Sequence, residues 1–93
     1  MKLYEKAIEE HLEERIKALG GVCAKFVSPG RRGRTDRLCK LPTMPAFLAE
    51  LKREGEVPTR QQVREHARWR AVNMPVHVFD SKAAIDAFLE SLS

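Results

Sequence analysis

Apolar residues near the start of the chain recur at helical spacing. Ile8, Leu12, Ile16 and Leu19 stand four, four and three residues apart, the period of one helix face. The pattern predicts a helix over residues 4–19 that stops at Gly20-Gly21. Residues 22–27 then alternate loosely, as a strand does. Residues 28–34 carry Pro29, Gly30 and Gly33 and read as a loop. A short strand over 37–41 follows, and Pro42 to Pro45 turns the chain. Residues 46–51 form an apolar run suited to a buried strand, and residues 53–58 form a polar turn. Thr59 stands where a helix N-cap should, before a helix that runs to about residue 72. Residues 76–79 make a strand with His77 on its alternate face. Ser81 caps a last helix that turns Ala84, Ile85, Phe88 and Leu89 inward. The order α-β-β-β-α-β-α describes an α/β chain of the α+β type, a mixed sheet with helices packed on it.

The length, 93 residues, suits one small domain over 1–93 with a thin core, so a dimer that shares core surface is expected. The net charge is +4, from 17 Lys and Arg against 13 Asp and Glu. Its distribution says more than its size. Arg31, Arg32, Arg34, Arg37 and Lys40 crowd into ten positions with Asp36 as the opposing acid, whereas the first helix is rich in Glu. Cys23 and Cys39 are too far apart for a Cys-x-x-Cys motif and too few for a disulfide framework, so both are expected as reduced strand residues. Met1 leads into a charged amphipathic stretch with no signal-peptide pattern, and no apolar run approaches the ~20 residues of a membrane span. A soluble, cytoplasmic protein is expected.

The candidate chemistry centres on three residues. Asp36 follows the basic loop and opens a strand. Glu50 and Lys52 end the apolar run, and alternation in a strand points them to one face with Leu51 turned away. Each feature alone has an ordinary explanation: a turn residue for Asp36, a surface ion pair for Glu50 and Lys52. Together they say more. If the two strands pair antiparallel through the Pro42–Pro45 turn, both carboxylates meet at one end of the sheet. Close carboxylates resist joint ionisation, and a divalent cation with oxygen ligands relieves the repulsion. The Leu51 carbonyl is a third oxygen in reach, and Lys52 stands where it could act on a nearby water. Glu5 falls at about 140° on the helical wheel, inside the apolar stripe of about 80° to 160°. It is either a first-turn residue that complements the helix dipole or a buried-face carboxylate that needs a partner. Gln62, His66 and Trp69 share one face of the second helix. His66 has no zinc-spaced partner, and Trp69 reads as packing.

Glu5, then Ser28-Pro-Gly-Arg-Arg-Gly-Arg-Thr-Asp-Arg-Leu38, then Phe47-Leu-Ala-Glu-Leu-Lys52, then Gln62 resembles the virus-type replication-repair nuclease domain, VRR-NUC, of the PD-(D/E)xK superfamily. The resemblance runs from Glu5 to the final helix. It implies a restriction-endonuclease-like core in which Asp36, Glu50 and the Leu51 carbonyl bind Mg²⁺ or Mn²⁺. Lys52 would orient or activate the attacking water, Glu5 would complete the site, and Gln62 would reach it from the second helix. The implied activity is hydrolysis of DNA phosphodiester bonds. Short stand-alone members are similar to dimeric enzymes that resolve four-way junctions, which implies a phage or bacterial setting and a homodimer. The chain departs from the family pattern at Thr35, where proline often precedes the motif Asp. Asn73 replaces a frequent Gly before the last strand. Gln61 stands beside Gln62, and Gln62 is chosen because it shares the face of His66.

With that resemblance the basic loop gains a role: Arg31, Arg32, Arg34 and Arg37 would neutralise phosphates without reading sequence. The expected function is a metal-dependent, structure-specific endodeoxyribonuclease of Holliday-junction-resolving type. One alternative is a non-catalytic or partner-dependent nucleic-acid-binding module on the same fold. Another is a sequence-specific restriction-like enzyme, for which the chain has little room.

Overall fold

The computed structural model describes residues 3–25 and 36–92, with side chains from Lys6 onward and without that of Asp36. Seven elements follow in order: α1 (Leu3–Ala18), β1 (Val22–Lys25), β2 (Asp36–Lys40), β3 (Phe47–Leu51), α2 (Arg60–Ala71), β4 (Val76–Phe79) and α3 (Lys82–Glu90). The expected order holds. The loop expected at 28–34 lies outside the described residues, as do the last two positions of the expected strand 22–27.

The four strands form one sheet in the order β1-β2-β3-β4. β1–β2 and β2–β3 pair antiparallel, and β3–β4 pair parallel. Parallel neighbours cannot be joined by a tight turn, and α2 provides the crossover between β3 and β4. Its start is a capping box. Thr59 Oγ1 accepts from Gln62 N at 3.2 Å, and Gln62 Oε1 accepts from Thr59 N at 2.8 Å, which satisfies two of the amides that a helix start leaves open. Beyond its other end Asn73 takes φ 66°, the left-handed conformation that Asn tolerates.

Strand alternation sorts the residues onto two faces. Ile8, Leu12 and Ile16 of α1 and Ile85 and Leu89 of α3 cover the first face, packing with Cys39, Leu41, Phe47, Ala49, Leu51 and Phe79. Phe47, His77, Phe79 and Phe88 cluster there, with the His77 and Phe88 rings 4.4 Å apart. His11 Nε2 of α1 lies 2.7 Å from Asp86 Oδ1 and holds α1 to α3. The second face carries Leu48, Glu50, Val76 and Val78 and lies against α2, whose Arg70 Nη2 donates to the Val76 carbonyl at 2.8 Å. With helices on both faces, all five residues of β3 are buried. No described helix is long and apolar enough to cross a membrane.

Leu19 is a correction to the expected stripe: α1 ends at Ala18, and Leu19 is 48% exposed. The helix closes with Gly20 N donating to Lys17 O and Gly21 N to Ile16 O, a Schellman motif with Gly20 at φ 82°. Leu19 is the C-cap residue and has already left the buried stripe. Cys23 and Cys39 are opposed in the β1–β2 register as free thiols, with sulfurs 3.7 Å apart. Their shared hydrogen bond lowers the pKa of the half-buried Cys23, and together with burial it raises that of Cys39.

Two expectations test this packing. A Cβ at Gly21 would stand 2.5 Å from the Lys40 carbonyl and 2.9 Å from Leu41 Cδ2. Gly21→Ala should therefore cost about 1–3 kcal/mol in urea unfolding, and a neutral result would disprove the close approach of the α1 exit to β2. The second concerns His77. Burial first, and the Arg70 cation second, hold its pKa below the ordinary 6.5. The folded state then favours neutral imidazole, and the unfolded chain binds more protons as pH falls below 6.5. The stability His77 supplies is complete above that value and is lost as pH drops through the folded pKa. Unfolding free energy should decline more steeply between about pH 7 and pH 5 for wild type than for His77→Phe; parallel curves would rule out a buried neutral His77.

Candidate active site

β3 is the central element of the site. Leu48 N donates to Pro75 O and Lys52 N to Phe79 O, both at 2.9 Å. The even-numbered residues of β3 thus bond towards β4, and the ladder runs one residue past the strand to Lys52. Leu48, Glu50 and Lys52 therefore share a face. That is the α2 face, and it leaves Phe47, Ala49 and Leu51 to the main core.

In the β2–β3 register Asp36 is the Cα partner of Glu50. Directly opposed residues of an antiparallel pair have Cα atoms about 4.5–5.5 Å apart. The first residue of β2 and the fourth of β3 thus form one cross-strand pair at one end of the sheet. Glu50 is 3% exposed, and its Oε1 lies 3.5 Å from His66 Nε2 of α2. His66 is itself 7% exposed. Lys52 keeps its side chain 11% exposed, with Nζ 3.9 Å from Glu56 Oε1.

The donor chemistry fits a hard divalent cation. A buried carboxylate, an acidic residue opposite it in the ladder and an adjacent backbone carbonyl supply only oxygen ligands. Among the described side chains, which include neither Glu5 nor Asp36, no group of three or more His, Cys, Asp or Glu is arranged for a metal.

α1 runs alongside β2 in the opposite direction. Its exit, Gly21, touches Lys40 and Leu41, and further back Glu9 and Glu13 both reach Arg37. The backbone of Glu5 therefore lies one turn beyond Glu9, toward the end of the sheet where Asp36 begins.

Not every expected residue joins the site. Arg37 is 9% exposed and pairs with Glu9 and with Glu13, the latter at 2.7 Å. It follows Asp36 in an alternating strand and so points to the α1 face. Expected among the phosphate-binding arginines, its guanidinium here fastens α1 to β2. Arg31, Arg32 and Arg34 lie outside the described residues. Gln62 is buried and shares its helix face with His66, but its side-chain oxygen is committed to the capping box. The Thr-x-x-Gln spacing that marks such a box stands openly in the sequence at Thr59 and Gln62. His66 is the residue that sequence reasoning undervalued. A search for His or Cys at zinc spacing passes over a histidine whose partner is a carboxylate on a distant strand.

A cavity of about 600 Å³ opens at the same end of the sheet, lined by Ala7, Ile8, Arg53, Asp80 and Lys82 among others. None of the described candidate side chains lines it, and it lies on the other side of the strand end.

The architecture has known counterparts. No family model matches the chain. A solved structure described as a VRR_NUC domain superposes with a TM-score of 0.86, covering 99% of this chain and 100% of its own, at 32% sequence identity. A relative from Acyrthosiphon pisum secondary endosymbiont phage 1, named "Putative nuclease p44", is 49% identical over 78 residues, 84% of each chain. The chain belongs to the VRR-NUC family of nucleases. This VRR-NUC chain is thus a nuclease of mixed α+β fold, with the opposed Asp36 and Glu50 beside Lys52.

The reassignment of Arg37 has a direct consequence. Removing one partner of a buried ion pair strands the other, at a cost of about 3–5 kcal/mol for full burial. Glu13 is partly exposed, so Arg37→Ala should lose about 2–3 kcal/mol in urea unfolding. Unchanged stability with weakened DNA binding would return Arg37 to the phosphate-contacting set.

Proposed function

We propose that this VRR-NUC protein is a Mg²⁺- or Mn²⁺-dependent, structure-specific endodeoxyribonuclease. In this reading it acts as a homodimer on branched DNA, with the four-way Holliday junction as its favoured substrate, in the cytoplasm of a bacterial or phage-infected cell. The observation that carries the reading is the Asp36–Glu50 register with Lys52 on the same face.

Asp36, Glu50 and the Leu51 carbonyl would hold the cation. When bound, it would offset charge on the scissile phosphate and favour a hydroxide nucleophile at neutral pH. Lys52, sheltered and close to Glu56, holds the attacking water by a charge-assisted contact and opposes the negative charge that grows on the phosphate. The water oxygen forms the new bond to phosphorus and gives up a proton to solvent, while the bond to the departing sugar oxygen breaks and that oxygen takes a proton from solvent to leave as a hydroxyl. Glu5 closes the site from α1. Gln62 lines it from α2, where the capping box holds its carbonyl oxygen and its amide nitrogen is the group that faces a substrate. Arg31, Arg32 and Arg34 track phosphates on either side of the cut. No described element offers a recognition helix for base edges, which favours DNA shape over sequence.

One argument supports the dimer: a site that cuts one strand must be doubled to cut two opposed strands of a junction.

The test compares labelled four-way junction, 5′ flap and plain duplex with Mg²⁺, Mn²⁺ or EDTA, for wild type, Glu50→Ala and Lys52→Ala. Paired symmetric cuts in the junction are expected, abolished by EDTA and reduced at least 100-fold in either variant. Binding that survives EDTA without cleavage of any substrate would instead support the non-catalytic module. Cleavage retained in Glu50→Ala would overturn the site.

A further inference from the structure

α2 is fixed at both ends. The capping box between Thr59 and Gln62 sets its first turn, and Arg70 binds the Val76 carbonyl at the entry to β4. His66 lies midway, one turn after Gln62. It is buried, and its Nε2 faces Glu50 Oε1 at 3.5 Å. Secondary structure on both sides therefore brings the imidazole to the carboxylate; a mobile surface chain does not do so.

A carboxylate taken out of water needs donors to its oxygens. A carboxylate that ligates a cation also has a plane and a direction to keep. Groups that hydrogen-bond to a ligand commonly fix both, and their loss costs about 10–100-fold in metal affinity or activity. We infer that His66 is a positioning residue: its Nε2–H holds Glu50 by Oε1 and orients the carboxylate toward the cation-binding end of the sheet. The inference rests on the metal-dependent reading above. It requires no change in the charge of His66, since the neutral tautomer protonated at Nε2 suffices. It also gives a reason for this histidine on the α2 face. An apolar residue would fill the space between α2 and β3 equally well but would bring Glu50 no donor from α2.

Mn²⁺ binding to the free protein, followed by isothermal titration calorimetry, separates the two claims. Wild type should bind, Glu50→Gln should lose binding, and His66→Phe should bind about 10–100-fold more weakly while its thermal unfolding stays cooperative. His66→Gln, whose amide nitrogen can stand where Nε2 does, should recover most of the affinity. Undiminished binding in Glu50→Gln would defeat the site assignment itself. Loss in Glu50→Gln with full affinity in His66→Phe would defeat the positioning role alone. Should His66→Phe fail to fold, long-range ¹H–¹⁵N spectra of the wild-type imidazole decide. A proton on Nε2 supports the inference, and a bare Nε2 overturns it.

Discussion

The site depends on a carboxylate that the fold takes out of water. β3 is buried along its whole length because α1 and α3 cover one face and α2 the other, so Glu50 has no route to solvent within the strand. A charge in that position is costly unless oppositely charged or hydrogen-bonding groups meet it. The groups that meet it come from every direction the topology allows. The β2 register partner is Asp36. α2 contributes His66, and the next residue on the same face is Lys52. Two acidic residues opposed in register make poor sense as a stability device. In the metal-dependent reading proposed above they would be cation ligands held in advance, and the cation would relieve the repulsion between them.

The same strand logic separates structural charge from functional charge one residue away. Asp36 and Arg37 are neighbours in β2. Asp36 is the register partner of Glu50. Arg37 meets Glu9 and Glu13 on the α1 side. The two roles are linked through the backbone. The arginine that fastens α1 to the start of β2 also sets where the first turn of α1, and so Glu5, stands relative to the acid pair. A basic residue next to a candidate site acid can thus serve the fold by holding a helix.

The fold was legible in the sequence wherever periodicity and caps acted locally. Ile8, Leu12 and Ile16 announce α1, Thr59 and Ser81 mark two helix starts, and Asn73 marks a left-handed residue, all of which appear in the structure. The antiparallel pairing of the two strands around Pro42 and Pro45 was also within reach, because a short turn leaves few registers. What remained hidden depends on contacts between distant elements. That Arg37 is spent on α1 follows from a packing partner some twenty-five positions away. Leu19 satisfies the apolar period and still lies at the surface, since the period says nothing about where a Schellman motif cuts the helix. The resemblance to VRR-NUC supplied the candidate set, but it could not show that the Gln62 oxygen caps α2.

That last point bears on how α2 serves the site. A glutamine that caps its own helix cannot turn both ends of its amide to a substrate. Its carbonyl is occupied, and only the nitrogen remains for other work. The capping box does something else of value. It fixes the rotation of α2 about its own axis at the first turn, and a residue four positions later inherits that rotation. His66 is that residue, and it faces Glu50. One side chain at the start of the helix therefore sets the direction of another in its middle. The placement of the buried carboxylate is governed by how α2 begins as much as by the strand on which Glu50 lies.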